Sequence, residues 1–452
     1  MTLLNELSAE VCQRARMSRD PRFDGRFFVA VKTTGIFCRP ICPANLPKEE
    51  NVEYFSSQAL AVSAGYRPCL RCRPESTPHS WAWKGAETTF LRALTLIEQG
   101  DLDGSLETLA SRLGISDRYL RQLFQRHLGM PPKQYAQIQQ LMFAKQLLHT
   151  SQISITEVAY ASGFQSTRRF NDAFQKLFRL TPTQVRRERA ALPSRNHLSL
   201  AFRGPFDWAH MLDFYRLRAI EGMELVDEQS YQRHFVLGEG TGWFKASMAQ
   251  SHLDIEFEMA RLSDLRHLVA RLRRMFDLDA DLISIEAHLE QLAPGLVRRT
   301  GIRIPGVWNA WEAGVRAVLG QQVSVKAAIG QLNLLVSTLA ASEGSTRYFP
   351  TPEQVQMSDL SFLRMPERRK ETLKRLADYV RLHPMDSPMA WLSLSGIGPW
   401  TVDYAQLRGE SRSHCFLTGD LIVKKALAKF PHLTAESVAP WGSYATFHCW
   451  SH

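Results

Sequence analysis

Four cysteines in two short pairs place the strongest restraint on how this chain folds. The first pair is Cys38-x3-Cys42 and the second is Cys69-x2-Cys72, with a loop between them. When two such pairs meet, their thiolates lie at the tetrahedral reach that zinc prefers in a closed site. The pattern therefore predicts a Zn2+ centre, and its ordinary interpretation is a structural site rather than a reactive one.

The length and charge of the chain fit several domains and a polyanionic partner. It has 452 residues, a formal net charge of +10 and an odd number of cysteines, 7, which fits a reducing compartment better than a disulfide framework. The charge suits nucleic acid, although a merely soluble basic protein would carry it too. No apolar stretch is long enough to span a membrane and the N-terminus lacks a signal-like pattern, so we expect a cytoplasmic protein with no membrane partner.

A block of residues recurs about fifty positions later in the chain. The matched positions are Ala110, Gly114, Ser116, Phe124, Gln125 and Pro132, which recur as Ala159, Gly163, Ser166, Phe174, Gln175 and Pro182. Each copy predicts a helix, a turn at the glycine, a serine N-cap and a second helix, and residues 132–150 predict a helix that joins the copies. One such unit could be plain scaffolding, but two in tandem favour a DNA-reading module.

The second helix of each copy carries basic and amide side chains on its predicted exposed face. They are Asp117, Arg118, Arg121, Gln122 and Arg126 in the first copy, and Thr167, Arg168, Arg169, Asn171 and Lys176 in the second. Such side chains can reach base edges in a major groove and also grip phosphates.

A glycine turn near the C-terminus precedes a helix that Pro399 opens. Residues 394–398 include Gly396 and Gly398, which allow the main chain to bend and to present bare N–H groups at the start of the helix. The helix dipole also favours an anion there. The turn therefore predicts a binding site for a DNA phosphate.

Asp420 follows this turn at a distance that suits a catalytic carboxylate. A carboxylate close to a deoxyribose stabilises the positive charge that develops when a glycosidic bond breaks. Local sequence leaves two alternatives open. Asp420 follows Thr418 and Gly419 as a good helix N-cap, and Asp403, one turn into the preceding helix, is a competing carboxylate.

Three aromatic residues are candidates for the walls of a base pocket. Trp400, Tyr404 and Trp450, with Trp311 as a weaker candidate, can attract an electron-poor cationic base by stacking and cation–π interaction. The alternative is that they belong to a core, as most aromatic residues on helices do.

The residues around the cysteines resemble the N-terminal domain of the Ada alkylation-response proteins. The similarity rests on residues 27–40 and 65–74 and covers nearly the whole first segment. It implies that all four cysteines bind zinc and that Cys38 accepts a methyl group from an alkylated DNA phosphotriester. The loop departs from the family pattern, because Pro43, Asn45 and Pro47 replace a more basic stretch.

Methylation of Cys38 would convert a thiolate into a neutral thioether. The lost negative charge belongs to a cluster whose cysteines have basic neighbours in the sequence, Arg39, Arg67, Arg71 and Arg73. Repulsion from phosphate should fall and DNA binding should tighten, so that the modification acts as a switch.

The repeated segment resembles the AraC-type DNA-binding domain, and this resemblance implies promoter recognition. The remaining residues, together with the glycine turn, look like an AlkA-type alkylbase DNA glycosylase of the helix-hairpin-helix superfamily. That resemblance implies Asp420 as the catalytic carboxylate and Trp400, Tyr404 and Trp450 as pocket walls.

Two positions of the glycosylase segment narrow the expected reaction. Bifunctional relatives carry a catalytic lysine where this chain has Trp400, so we expect base release without strand cleavage. Gln322 lies where the best-characterised members place an apolar wedge, and it could instead hydrogen-bond the base left without its partner.

The sequence as a whole predicts a multidomain protein, mainly α with α+β parts. The expected parts are a small zinc-binding α/β domain at residues 1–77, an AraC-like tandem helix-turn-helix domain at 85–190, a small antiparallel-sheet subdomain at 196–283 and a helical helix-hairpin-helix glycosylase lobe at 284–452. Polar, turn-prone linkers are expected at residues 74–80 and near residues 193–196.

The expected function is excision of alkylated bases of the 3-methyladenine type by a monofunctional glycosylase joined to a methyl-phosphotriester-sensing transcription regulator. The expected partner is double-stranded DNA, at alkylated lesions and promoter sites, with RNA polymerase as a further candidate. Two alternatives are open. The chain could be a regulator whose C-terminal segment binds DNA without hydrolysis, or a glycosylase whose N-terminal half only anchors it to DNA through structural zinc.

Overall fold

The structure is a computed structural model of the chain. It describes residues 7–20, 23–72, 74, 81–98, 100, 105–187, 196–339, 342–344, 346–384 and 386–451. Arg73 and most of both predicted linkers, residues 75–80 and 193–195, lie outside the described residues. The chain forms two compact units, Met1–Gln139 and Gln140–His452.

Unit 1 begins with a small four-stranded sheet. Its elements are α1 (Ala9–Met17), β1 (Phe28–Val31), β2 (Ile36–Cys38), a 3-10 helix (Glu49–Asn51), β3 (Val52–Phe55), α2 (Gln58–Ser63) and β4 (Arg67–Pro68). The strand order is β3-β1-β2-β4, with β2 and β4 parallel and the other pairs antiparallel. Val29 packs on one face with Cys12 of α1, and Phe28 packs on the other with Ala61 of α2, because successive side chains alternate across a strand.

The rest of unit 1 is helical and contains the first copy of the repeat. Its helices are α3 (Trp81–Glu98), α4 (Leu106–Arg112), α5 (Asp117–Leu128) and the start of α6 (Pro132–Thr150). Gly114 takes a positive φ of 67° at the turn, and the Ser116 hydroxyl accepts a hydrogen bond from Tyr119 N at 3.2 Å. These features and the bounds of α6 confirm the sequence prediction.

Unit 2 opens with the second copy. Its helices are α7 (Ile155–Ala161), α8 (Thr167–Phe178) and α9 (Pro182–Arg187). Gly163 has a φ of 85°, and Ser166 caps α8 by accepting from Arg169 N at 3.4 Å. Phe170 and Phe174 are fully buried on the inner face of α8, as the equivalent Phe124 is in α5.

A five-stranded antiparallel sheet follows. It is built from β5 (His197–Ala201), β6 (Glu224–Val226), β7 (Ser230–Leu237), β8 (Gly240–Met248) and β9 (His252–Met259), with α10 (Trp208–Arg216) between β5 and β6. The strand order is β5-β9-β8-β7-β6. Leu253, Ile255 and Phe257 of β9 are all buried, as expected when apolar and polar residues alternate along a strand. A turn at Gly238, which has a φ of 60°, joins β7 to β8.

The helical lobe occupies the rest of unit 2. Its elements are a 3-10 helix (Leu262–Asp264), α11 (Leu265–Met275), α12 (Leu282–Leu292), α13 (Ala310–Gly320), α14 (Val325–Leu339), β10 (Ser342–Glu343), β11 (Thr346–Arg347), α15 (Pro352–Met357), α16 (Glu367–Leu382), a second 3-10 helix (Pro388–Ser393), α17 (Pro399–Glu410), α18 (Leu421–Leu427) and α19 (Gly442–Trp450). The predicted fold class is confirmed, including the helix-hairpin-helix. The four domain boundaries stay predictions.

Close packing of α13 against α17 gives the lobe its shape. A Cβ at Gly409 would lie 2.5 Å from Ala310 Cα, so a glycine is needed where the helices cross. Among the described helices, none combines the length and the apolar composition that crossing a membrane requires.

Candidate functional site

Parallel pairing of β2 and β4 brings the two cysteine pairs together. Phe37 is in register with Pro68, and Cys69 N donates to Phe37 O at 3.0 Å, so Cys38 and Cys69 leave the sheet side by side. The four sulfur atoms all lie within 4.8 Å of one another. Cys38 and Cys69 are half-buried, whereas Cys42 and Cys72 are buried.

The donor set fits zinc. Four thiolates around Zn2+ at a Zn–S distance of about 2.3 Å require sulfur atoms about 3.8 Å apart, which the observed cluster permits. Cys38, Cys42, Cys69 and Cys72 are the residues that would hold the ion, as the sequence predicts.

Arg39, next to Cys38, is not a free cation. Its guanidinium makes a two-point contact with the Asp24 carboxylate, in which Nε donates to Oδ1 at 2.8 Å, and the Asp24 side chain is 5% exposed. The backbone N–H of Arg39 also donates to Cys72 Sγ at 3.3 Å. Asp24 therefore offsets the positive charge of Arg39 beside the thiolates. Arg67 and Arg71 are exposed.

The two second helices of the repeats present their polar faces to solvent. Arg118, Arg121, Gln122 and Arg126 of α5 are exposed, and so are Arg168, Arg169, Asn171 and Lys176 of α8. An ion pair of 3.0 Å joins Arg121 to Asp117 on the same helix. Both faces keep the basic and amide character that the sequence predicts for a groove-reading helix.

The glycine turn forms the predicted hairpin between the 3-10 helix Pro388–Ser393 and α17. Gly396 has a φ of 93°, and a Cβ there would lie 2.1 Å from Thr372 Oγ1, so only glycine fits. Gly398 is the N-cap of α17 in an extended conformation, with no side-chain cap. Within the described part of the chain, the N–H groups of Gly396 and Gly398 donate to no backbone oxygen, which leaves them available to an anion.

A cavity of about 450 Å3 opens beside this hairpin. It is bounded by α10, the end of α13, α14, α17, the start of α18 and the end of α19. Its volume is that of a typical small-ligand site. Asp420, Trp400, Tyr404 and Trp450 all line it, so residues up to fifty positions apart in sequence meet at one place.

Asp420 is both the N-cap of α18 and a wall of the cavity. Its Oδ1 accepts hydrogen bonds from Ile422 N at 2.9 Å, Val423 N at 3.2 Å and Trp450 Nε1 at 3.1 Å. Among the described residues, no side chain or backbone N–H donates to Oδ2. Asp420 can therefore cap α18 and line the cavity at once, because all three donors contact Oδ1 and leave Oδ2 without a donor among the described residues.

The aromatic residues form two stacked pairs in the cavity wall. Trp400 and Tyr404, four residues apart on α17, have ring centroids 5.3 Å apart at an interplanar angle of 26°. Trp450 lies nearly parallel to Phe214 of α10, with centroids 6.3 Å apart at 15°. Flat faces of this kind suit a planar base.

Three guanidinium groups surround Tyr404. Arg218 and Arg316 line the cavity, and Arg408 Nη1 donates to the Tyr404 hydroxyl at 2.8 Å. Burial raises the pKa of Tyr404, but the three cations outweigh it and the net pKa is lowered. Burial lowers the pKa of Arg218 to about 10, and its Cζ lies 3.7 Å from the Phe214 ring centroid.

Two other candidates lie away from the cavity. Trp311 is 7% exposed within the core of the helical lobe, its indole N–H donates to Pro350 O at 2.9 Å, and it does not line the cavity that contains Asp420. Asp403 lies on α17 but does not line the cavity, and burial raises its pKa.

Gln322 is exposed at the cavity mouth, with a left-handed φ of 58°.

Comparisons with known proteins match the three parts of the chain. Residues 11–75 match the family model of the metal-binding domain of Ada, residues 109–188 a helix-turn-helix domain and residues 197–309 the AlkA N-terminal domain. The probable bifunctional transcriptional activator/DNA repair enzyme AlkA of Mycobacterium tuberculosis is 34% identical over 475 residues, which cover 98% of this chain and 96% of that relative. The chain belongs to this Ada–AlkA family.

Two further relatives of the Ada–AlkA chain each resemble one half. DNA-3-methyladenine glycosylase 2 of Escherichia coli is 33% identical over 277 residues, covering 56% of this chain and 96% of that relative. The bifunctional transcriptional activator/DNA repair enzyme Ada of Escherichia coli is 34% identical over 170 residues, covering 38% of this chain and 47% of that relative. The predicted family and the Zn2+ cofactor are confirmed.

Several cavity residues of this Ada–AlkA protein were not identified from its sequence. Phe214 lies in the last turn of α10 and Arg218 lies two residues after the helix, and their local sequence does not show which cavity they line. His210 Nε2 lies 3.3 Å from Ser451 Oγ, and burial lowers its pKa, which favours the neutral imidazole. Gln321 was missed because its contacts are about eighty residues away.

Proposed function

We propose that this protein excises alkylated bases of the 3-methyladenine type from double-stranded DNA. The observation that carries the proposal is the Asp420 carboxylate, which keeps one oxygen without a donor among the described residues, in a cavity walled by stacked aromatic rings. The hairpin turn leads into α17, whose Trp400 and Tyr404 line the cavity, so a phosphate bound at the turn would bring the DNA backbone next to the cavity.

The chemistry follows from the charges at the site. An N-alkylated purine nucleotide is cationic, so its base takes the electron pair of the C1′–N bond and leaves as a neutral molecule. The positive charge that develops on the sugar is stabilised by the nearby carboxylate in a partly dry cavity. Water then adds to C1′ and releases a proton, and Asp420 Oδ2 can orient that water. With Trp400 where a lysine would act as nucleophile, no covalent intermediate forms and the strand stays intact.

Base release is tested with a methylated duplex that carries 3-methyladenine and 7-methylguanine. After incubation with the protein, hot alkali breaks the strand wherever an abasic site has formed. We expect breaks at lesions after alkali and none before it. Binding without any breaks would favour a regulator whose C-terminal segment is not catalytic.

We further propose that Cys38 accepts a methyl group from a DNA methyl phosphotriester. Exposure supports an outer cysteine as the acceptor, because Cys38 and Cys69 are half-buried whereas Cys42 and Cys72 are buried. The similarity to Ada selects Cys38 of these two. Bound zinc would keep the sulfur atoms deprotonated at neutral pH. The Cys38 sulfur attacks the methyl carbon, an S–C bond forms as the C–O bond breaks, and the phosphate leaves as a diester anion.

Intact mass measures this transfer directly. After incubation with methylated duplex we expect a gain of about 14 Da, one methyl group, that is absent in Cys38→Ala. No gain in the wild-type chain would leave the zinc site with an anchoring role only. Promoter binding through α5 and α8 belongs to the same proposal, and contact with RNA polymerase there stays a prediction.

A further inference from the structure

Gln321 joins two loops that both face the proposed DNA-binding side of the cavity. It is the residue at which α13 ends. Its side-chain Nε2 donates to Gly396 O and to Thr401 Oγ1, each at 3.2 Å. The first acceptor lies in the hairpin turn and the second in the first turn of α17.

The residues after Gln321 form the loop at the cavity mouth. Gln322 is exposed with a φ of 58°, a conformation that costs free energy for a residue other than glycine. Val323 lines the cavity although it is 41% exposed, and Ser324 caps the next helix by accepting from Ala327 N at 3.2 Å. The loop therefore has a defined conformation, and the Gln321 side chain connects it to the hairpin turn.

The chemistry of this contact requires an amide donor. Both partners are oxygens: a backbone carbonyl accepts only, and a hydroxyl can accept from the same NH2 group. A carboxylate in place of the amide would present an oxygen to the Gly396 carbonyl and repel it. The contact is thus sensitive to the loss of one NH2 group at nearly constant size.

We propose that Gln321 is a positioning residue for base eversion. It fixes the position of the loop of residues 321–324 relative to the hairpin turn. When the turn binds the DNA backbone, the loop is therefore already placed to fill the gap that the everted base leaves in the stack. This inference rests on the proposed glycosylase function, and it concerns the step that brings the base into the cavity.

The test compares the rate of base release for one lesion in two DNA substrates, a matched duplex and a single-nucleotide bulge. In a matched duplex the lesion must be pulled from the stack, whereas in a single-nucleotide bulge it is already largely unstacked. We expect Gln321→Ala to slow single-turnover release from the matched duplex about tenfold and to change release from the bulge less than about twofold. Gln321→Glu, close in size, should slow release from the matched duplex at least as much.

Variants of Thr401 and Gln331 separate positioning from packing. Thr401→Val should lower the matched-duplex rate, and Thr401→Ser, which keeps the hydroxyl, should restore it. Because both residues act through one contact, the double variant Gln321→Ala with Thr401→Val should release base at about the same rate as Gln321→Ala alone. Gln331→Ala removes a comparable amide contact, in which Arg364 N donates to Gln331 Oε1 at 2.7 Å, away from the hairpin, and should leave both rates unchanged.

The outcomes are distinct. Equal losses on the matched duplex and the bulge, or a wild-type rate for Gln321→Glu, would overturn the positioning role. If the wild-type protein releases no base from either substrate, the proposed function itself fails.

Discussion

At the scale of single residues, the two carboxylate oxygens of Asp420 have different hydrogen-bond partners. Oδ1 accepts three N–H groups that orient the carboxylate, and Oδ2, which has no donor among the described residues, is the oxygen that the proposed mechanism assigns to the sugar or the water. One of those donors, the Trp450 indole, also forms part of the aromatic wall, so substrate stacking and carboxylate orientation share a side chain.

The first prediction removes that donor. Trp450→Phe keeps a flat ring but loses the N–H to Asp420 Oδ1, and a hydrogen bond to a charged group contributes about 1.5–3 kcal/mol. We expect single-turnover base release to fall at least about tenfold while the thermal midpoint changes little. Trp441→Phe, at the start of the same helix and outside the cavity, is the control. An unchanged rate in Trp450→Phe would show that the indole does not orient the carboxylate.

Local sequence could reveal Asp420 but not its surroundings. An Asp before an apolar run is visible as a cap, and here the cap and the cavity wall coincide. The contacts of Gln321 and Arg39 could not be predicted, because their partners Gly396 and Asp24 lie 75 and 15 residues away and no local pattern encodes such contacts.

At the scale of secondary-structure elements, the helix-hairpin-helix turn contains two glycines with different physical roles. Gly396 is required by its φ of 93° and by Thr372, which occupies the space of a Cβ. Gly398 has a φ of −111°, and a Cβ there would meet nothing within 4 Å. The sequence predicted the turn, but only the structure separates these roles.

This difference makes a matched pair of variants. Gly396→Ala should destabilise the lobe by about 1–3 kcal/mol and weaken binding to duplex DNA, because the turn must open to admit the methyl group. Gly398→Ala should leave the free energy of unfolding nearly unchanged. Denaturant unfolding and DNA titration measure both effects. Equal stability losses in the two variants would contradict the assignment of strain to Gly396.

The elements that repeated were the easiest to predict. Gly114 and Gly163 form equivalent turns, and Ser116 and Ser166 form equivalent caps, because local chemistry decides both features.

At the scale of the whole molecule, a buried acid couples stability to pH. Asp277 accepts from Tyr444 OH at 2.9 Å and from Ile304 N at 3.2 Å, and so links the end of α11 to α19. Burial raises its pKa from 3.8 to about 7, although these hydrogen bonds and Arg303 oppose the rise. Between those values the folded protein holds a proton that the unfolded chain has released.

Stability from this group should therefore fall as pH rises from about 4 to about 7 and level off above that. Asp277→Asn, which cannot ionise, should flatten this part of the profile. Thermal midpoints of both proteins from pH 5 to pH 8 provide the measurement, at roughly constant ionic strength. Parallel profiles would show that Asp277 does not titrate in this range.

The zinc site and the cavity belong to different compact units. Removal of zinc should loosen β2 and β4, whose pairing brings the two cysteine pairs together, while α13 and α17 keep their protection from exchange. Hydrogen exchange with and without a chelator measures this, and base release should stay within about twofold. Loss of base release on chelation would contradict independent function of the two units.

The central claim is that Asp420 stabilises the sugar cation as the alkylated base leaves. Asp420→Asn tests it most directly, because asparagine is also a good N-cap and its amide oxygen can still accept from Trp450. In single-turnover release of 7-methylguanine from duplex DNA, we predict a loss of about a hundredfold or more with an unchanged thermal midpoint. A folded Asp420→Asn protein that releases base at the wild-type rate would contradict the account.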